Sequence, residues 1–208
     1  MNNQAMVCRK ANASDITQVV DIHISAFPGF FLTTLGPAFL QTMYKAFLFN
    51  QGGVFVVDEL DGKTLGFAVG VLKSAGRDRN LALRFLPQFM LALIPAVTRN
   101  PIKVIKRIGS QFFSTNEKLN IPDDAAVLRS IGVQPKSKGA GVAGRLLQEF
   151  ERQASKKGAA SVALTTDALD NERAIGFYRK NGYMVAQEFK QDGQRPMYLM
   201  IKQLRQSA

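Results

Sequence analysis

The chain has 208 residues, 46% apolar and 21% charged, enough to bury a real core and to expect a single domain over 1–208. One cysteine, Cys8, excludes an internal disulfide and favours a reducing compartment. A lone His23 with no cysteine cluster argues against zinc, so no metal is expected. The net charge of +11 implies acidic partners: phosphates, nucleic acid or an anionic membrane. No apolar run approaches the roughly 18 residues of a membrane span, and MNNQAMVCRK lacks the core of a signal peptide, so a cytoplasmic protein is expected.

Met6–Arg9 is a short predicted strand. Asn12 or Ser14 can cap a helix through about Ala26, with Ile16, Val19, Val20, His23 and Ile24 on its apolar side. The stretch FPGFF at Phe27–Phe31 gathers aromatic rings around Pro28-Gly29, as a plug for the core or as an apolar wall for a substrate. Gly36-Pro37 starts a second helix, Pro37–Phe49. Val54–Val57 and Leu65–Val71 read as strands joined around Asp61-Gly62, a hairpin signal. In the second strand, bulky Leu65, Phe67, Val69 and Val71 alternate with Gly66, Ala68 and Gly70. One face is nearly bare, open to a neighbouring element or a ligand.

Arg77–Lys118 changes character, with eight Lys/Arg against Asp78 and Glu117, net +6. Phe85–Val97 is apolar but broken by Pro87 and Pro95, which predicts one or two broken helices inserted between strands. The segment reads as a helical lid or a homodimer contact. A sharper reading is a patch at the inner face of a membrane, because Arg77, Arg79, Arg84, Arg99, Lys103, Lys106 and Arg107 flank the apolar stretch. It lacks a nucleic-acid reading motif, so no nucleic acid is expected.

Val127–Val133 is a predicted buried strand, stopped by Pro135. The basic loop Lys136–Gly141 follows. Val142, Leu146, Leu147 and Phe150 then keep helical spacing to about Lys157, and Gly158 ends the helix. Strand, glycine loop and helix N-terminus together suit a phosphate or pyrophosphate. Ser161–Thr166 is the next strand, parallel to the first. Asp170 or Asn171 caps a helix through Lys180, closed by Asn181-Gly182. Tyr183–Phe189 and Pro196–Ile201 form a hairpin around Asp192-Gly193, and Gln203–Ala208 reads as a loose tail.

Gly139, Gly141 and Gly144 match the dinucleotide pattern G-x-G-x-x-G, with Asp167 placed for a ribose. Three features count against that rival. Five residues separate Val133 from Gly139, the motif comes past mid-chain, and the terminal hairpin supplies no second parallel half.

A second pattern uses more residues. Val133-Gln-Pro135, Lys138-Gly-Ala-Gly141-Val-Ala143 and the Leu146-Leu147 pair resemble the acetyl-CoA loop of the GNAT acetyltransferase superfamily, V-x-P followed by R/Q-x-x-G-x-G/A. Lys138 stands where the family has Arg or Gln; it keeps the charge and loses the bidentate fork. Asn171-Glu-Arg-Ala174-Ile-Gly-Phe177-Tyr178 through Gly182-Tyr183 resembles the family's N-x-x-A-x-x-F-Y-x-x-x-G-F. The resemblance covers Val127–Tyr183. It implies an α/β (α+β) fold with a mixed sheet of about six or seven strands, its middle parallel pair splayed, and flanking helices. The basic helical insertion lies outside that common core.

It also implies an N-acetyltransferase that moves an acetyl group from acetyl-CoA to the primary amine of a small molecule by direct attack. The cofactor arm would lie against Ile131, Gly132 and Val133. Its pyrophosphate would lie on Lys138, Gly139, Ala140, Gly141, Val142, Ala143 and Gly144. Asn171 is expected to touch the cofactor or the splayed strand, or to act as a plain helix cap. Tyr178 is the expected catalytic residue at the leaving sulfur, with Phe177 and Tyr178 about 100° apart, one turned to the core and one to the cleft. The general base is not evident: Asp123 and Asp124, Arg129 and Ser130, His23 and a water relay are the candidates. An amino sugar would fit FPGFF and the basic segment. A peptide acetyltransferase and a non-catalytic acyl-CoA-binding or membrane-peripheral module are the alternatives.

Overall fold

The computed structural model describes residues 6–75, 85–94, 119–191 and 194–204. Its strands are β1 (Met6–Lys10), β2 (Gly53–Leu60), β3 (Lys63–Leu72), β4 (Ala125–Val133), β5 (Ser161–Asp167), β6 (Met184–Gln191) and β7 (Arg195–Gln203). Its helices are α1 (Ile16–Ala26), α2 (Phe31–Thr34), α3 (Pro37–Phe49), α4 (85–94), α5 (Val142–Lys156) and α6 (Glu172–Lys180). The strands form one mixed sheet in the order β1-β2-β3-β4-β5-β7-β6, in which only β4 and β5 are parallel.

Local chemistry accounts for most boundaries. Asn12 closes a capping box with Asp15 over the turn that opens α1. Pro37 sits in the first turn of α3, where its missing N–H costs nothing. Asp61 (φ 50°) and Gly62 (φ 74°) are both left-handed, the two-residue turn whose twist matches a hairpin.

The bare face of β3 accepts a helix. A Cβ at Gly66 would stand 2.9 Å from Leu146 Cδ1 and Val142 Cγ1, and one at Gly70 would stand 2.7 Å from Phe150 Cζ. α5 therefore lies against the sheet more closely than any side chain on β3 would allow. Val142, Leu146, Leu147 and Phe150 bury there with Val54, Val56, Ala126 and Leu128. On the opposite face α1 and α3 bury Val19, Val20, Ile22, Leu40 and Tyr44 against Phe55, Phe67 and Val69.

Two expectations shift. Gln203 belongs to β7, paired with Ser161, and the Leu204 N–H donates to Ala160 O, so the loose tail starts later than expected. Of the basic segment, residues 85–94 are helical, and the remainder of Arg77–Lys118 lies outside the described residues, as does the Asp192-Gly193 turn. No helix among the described residues is long and apolar enough to cross a membrane.

Candidate active site

β4 and β5 pair only over Ala125–Val127 and Ser161–Ala163. Past that point each strand keeps its other neighbour: β4 stays on β3 as far as Val133, and β5 stays on β7 as far as Asp167. The two strands part, and the edge of β4 that carries Ile131, Gly132 and Val133 faces a gap with N–H and C=O groups free of a ladder. Gly70 pairs with Leu128 and Val69 with Ser130, so Arg129 is the extra residue of a bulge where the gap opens. Ile131 and Val133 share a core with Leu164, Phe177 and Tyr178, which spans both strands below the gap.

The glycine loop closes one end. Gly139 (φ 89°) and Gly141 (φ 75°) are left-handed, a conformation that a Cβ opposes. Gly141 precedes α5 and no side chain caps this helix, so the leading amides of Val142, Ala143 and Gly144 lack an intrahelical partner. A Cβ at Gly139 or Gly144 would meet nothing within 4 Å, which leaves open space in front of those amides. Lys136 and Lys138 are exposed and make no ion pair among the described residues.

Arg145, one turn into the helix, is not free for an anion. Its Nε and Nη2 donate to Asp58 Oδ2 at 3.0 and 2.7 Å, and its Nη1 donates to Ala140 O at 3.0 Å. It ties the loop to fully buried Asp58 of β2. The sequence offered one signal for this role, an Arg four residues after the turn glycine. Its partner lies 87 positions away.

α6 closes the other side. Asn171 stands at the N-cap of α6, but its side chain makes no capping hydrogen bond. Its Nδ2 donates to Thr166 Oγ1 at 2.7 Å and to Asp167 O at 3.2 Å, so it braces the outer end of β5, the splayed strand. Tyr178 is the more buried of the aromatic pair and Phe177 only half-buried.

Tyr178 also differs from its neighbour. The Tyr183 hydroxyl donates to Glu151 Oε1 at 3.0 Å, and Lys202 Nζ donates to Glu151 Oε2 at 2.6 Å. The Tyr178 hydroxyl has no partner among the described residues. It is also absent from the fully sealed unpartnered polar atoms, His23 Nε2, Asp58 Oδ1, Thr64 Oγ1 and Ser161 Oγ. Burial pushes its phenol up to about 12, so it stays protonated and able to donate.

The base candidates separate. Asp123 and Asp124 precede the zipped end of β4, about 30 Å of extended chain from Val133. Asp123 is fully exposed and held by Lys73 at 2.7 Å. Neither carboxylate sits at the gap, and both leave the list. His23 is buried on α1, its Nδ1 2.6 Å from the Tyr44 hydroxyl, which also meets Ser130 of β4. Desolvation holds its imidazole down to about 4, so it is neutral near pH 7. This His23–Tyr44–Ser130 chain was not legible from the sequence.

Phe27 packs on His23, with centroids 5.0 Å apart, and a Cβ at Gly132 would stand 3.3 Å from its ring. FPGFF thus divides: Phe27 fills the core behind β4, while Phe30 is half exposed. Burial, helped by Asp58, pushes the Cys8 thiol up to about 12, so the only thiol stays protonated and a poor nucleophile.

Splayed parallel strands beside an uncapped, glycine-lined helix end suit a long carrier that bears a diphosphate. A doubly wound dinucleotide site does not fit, because β5 is followed across the sheet by antiparallel β7. The acetyltransferase (GNAT) family model matches residues 16–183, and the chain belongs to that family. It is therefore an acetyl-CoA-dependent acetyltransferase.

Solved structures agree on the fold. The ribosomal-protein-S18-alanine N-acetyltransferase of Escherichia coli superposes with a TM-score of 0.61 at 15% identity, covering 98% of this chain and 97% of that one. An aminoglycoside 6'-acetyltransferase type Ii gives 0.61 at 15% identity, covering 95% and 97%. The PaiA N-acetyltransferase of Thermoplasma acidophilum, in complex with coenzyme A, gives 0.56 at 14% identity, covering 96% and 99%. No curated protein matches the chain.

Proposed function

We propose that the chain, acting as a single domain over 1–208, acetylates the primary amine of a small molecule, an amino sugar being the acceptor class that its features suit. The observation that carries the catalytic part is the Tyr178 hydroxyl: it has no partner among the described residues, is not among the sealed polar atoms, and belongs to a side chain that packs with Ile131, Val133 and Leu164 of the parting strands.

Ile131, Gly132 and Val133 would hold the pantetheine amides by their free strand edge, as an added strand is held. The residues from Lys138 to Gly144 would hold the diphosphate, with backbone amides and an ammonium in place of a guanidinium fork. Acetyl-CoA supplies an activated acyl group on sulfur. Tyr178 donates a hydrogen bond to the sulfur as charge develops there. Full proton transfer is uphill by about 5 kcal/mol, given a phenol near 12 and a thiol near ~8.5. The phenol therefore acts by hydrogen bonding, which gains strength in a dry site. The inert Cys8 thiol supports direct attack by the amine, with no acetyl-enzyme. The amine proton would pass to solvent water at the gap, because burial makes the His23 imidazole a weak base, its Nδ1 is taken by Tyr44 and its Nε2 is sealed.

On the α1 side of the loop, Asp21, Ile22 and Ser25 face Gln134, Pro135 and Lys136 across a groove of about 420 Å³. It offers a carboxylate for an ammonium and an ammonium for an anionic group, which favours a zwitterionic or sugar-linked acceptor. A panel of amines with acetyl-CoA and thiol-release detection tests the assignment. Turnover of amino sugars or their phosphates supports it. Turnover confined to peptide amino termini or lysines assigns the enzyme to proteins, and coenzyme A binding without turnover of any amine makes it a binding module.

A further inference from the structure

α4 is apolar on both its inner and its outer side, with Gln88 its one polar residue. On its inner side Phe89, Ala92 and Leu93 pack on Leu35 and on Phe39 of α3, with the Phe39 and Phe89 rings 5.3 Å apart, and Phe85 is buried beside Phe49. At 100° per residue, Leu86, Met90, Ile94, Pro87 and Leu91 fall in that order on an outer arc of about 140°, with Gln88 beyond its edge. That arc carries no charge, yet it is exposed: Leu86 51%, Met90 62%, Leu91 67% and Ile94 54%. Phe49 of α3, itself 52% exposed, stacks on Phe85 and extends the surface at one end. Together these side chains show on the order of 400 Å² of apolar surface, the size at which a patch marks an interaction site. A helix that is apolar on two sides is stabilised when its second side is covered as well.

We infer that this outer face of α4 docks on an anionic membrane surface, with its aliphatic side chains in the headgroup boundary. Charge chooses the occupant. Residues 85–94 bear no charge themselves, but Arg84 is covalently next to Phe85, and Arg77, Arg79, Arg99, Lys103, Lys106 and Arg107 follow within a short length of chain on either side. The whole segment 77–118 is +6 in a chain of +11. A second copy of a chain of +11 is repelled by it, whereas an anionic bilayer attracts the chain and accepts Leu, Met and Ile. Docking here would set α2 near the headgroups, and with it the loop that carries Phe27 and Phe30. The inference is independent of which amine is acetylated.

The test is co-sedimentation of the full chain with vesicles. One set is an equal mixture of phosphatidylglycerol and phosphatidylcholine, and the other is phosphatidylcholine alone. The expected result is partition at least about tenfold stronger on the anionic vesicles and weakening as salt rises. The double variant Met90→Gln, Leu91→Gln should lose about tenfold of that partition while acetylation of a soluble amine is unchanged. Both side chains point outward, so the core is not touched, and the comparison of vesicles on the unaltered chain does not depend on any variant folding. No partition on anionic vesicles, equal partition on both kinds, or a variant that binds as well as the parent overturns the proposal. So does sedimentation velocity showing a dimer that this variant converts to monomer, which assigns the face to a second copy.

Discussion

Tyr178 and Tyr183 lie 5.7 Å apart, ring to ring, and only one of them has its hydroxyl spoken for. Replacing Tyr178 by Phe keeps the packing and removes the donor. The expected outcome is a fall in kcat of about 10²-fold or more, with the acetyl-CoA dissociation constant within about twofold of the parent. Calorimetry and steady-state kinetics on the same preparation check both halves. Lys138 gives the opposite kind of prediction. Lys138→Arg puts a fork in the loop proposed to hold the diphosphate and should tighten coenzyme A a few-fold. His23 titrates inside the fold. Its imidazole is held near 4 against about 6.5 in the unfolded chain, so between those values the unfolded chain binds more protons. Stability is whole above about pH 6.5 and falls by about 3 kcal/mol as pH drops toward 4. Urea unfolding at pH 7 and pH 4.5 should show that loss in the parent and much less of it in His23→Gln.

At the scale of the element, the glycines separate packing from ligand space. Gly70→Ala puts a Cβ 2.2 Å from Val127 O and 2.7 Å from Phe150 Cζ, so α5 or β4 must move. The expected cost is at or above the roughly 1–3 kcal/mol of ordinary overpacking, read from urea midpoints. Gly144→Ala meets nothing and has no left-handed strain. The free protein should gain up to about 1 kcal/mol from better helix propensity, while coenzyme A binding weakens. Arg145→Ala leaves fully buried Asp58 without its cation, with Oδ1 already unpartnered, and should destabilise by on the order of 3 kcal/mol.

The strand, loop and helix around Gly141 were readable because their devices are local: an apolar run, Pro135, glycines and a 3.6-residue period. The register was not. That β4 leaves β5 after Val127, that Arg129 bulges, and that Arg145 meets Asp58 all depend on partners far away in sequence. Asp123 and Asp124 looked near the reacting strand in one dimension, yet they lie at its closed end.

Across the whole molecule, one sheet does two things at once. At its closed end β4 and β5 complete a continuous core; at the other they separate, and α5 and α6 stand on the two sides of the opening. The splay was expected from resemblance to a family, since no residue of either strand announces it. The order β5-β7-β6 follows from the terminal hairpin folding back to pair with β5, a choice that sequence periodicity cannot make. The acceptor stays the least legible part, because it is set by surfaces that α1, α2 and α4 bring together from distant segments.

The most direct measurement is a titration calorimetry comparison of acetyl-CoA with NAD on the unaltered chain, repeated on Gly144→Ala. One-to-one binding of acetyl-CoA, no heat from NAD, and weaker acetyl-CoA binding in a variant whose melting temperature is unchanged or raised are the expected results. Binding of NAD without acetyl-CoA, or acetyl-CoA binding that Gly144→Ala leaves untouched, would contradict the proposed cofactor site.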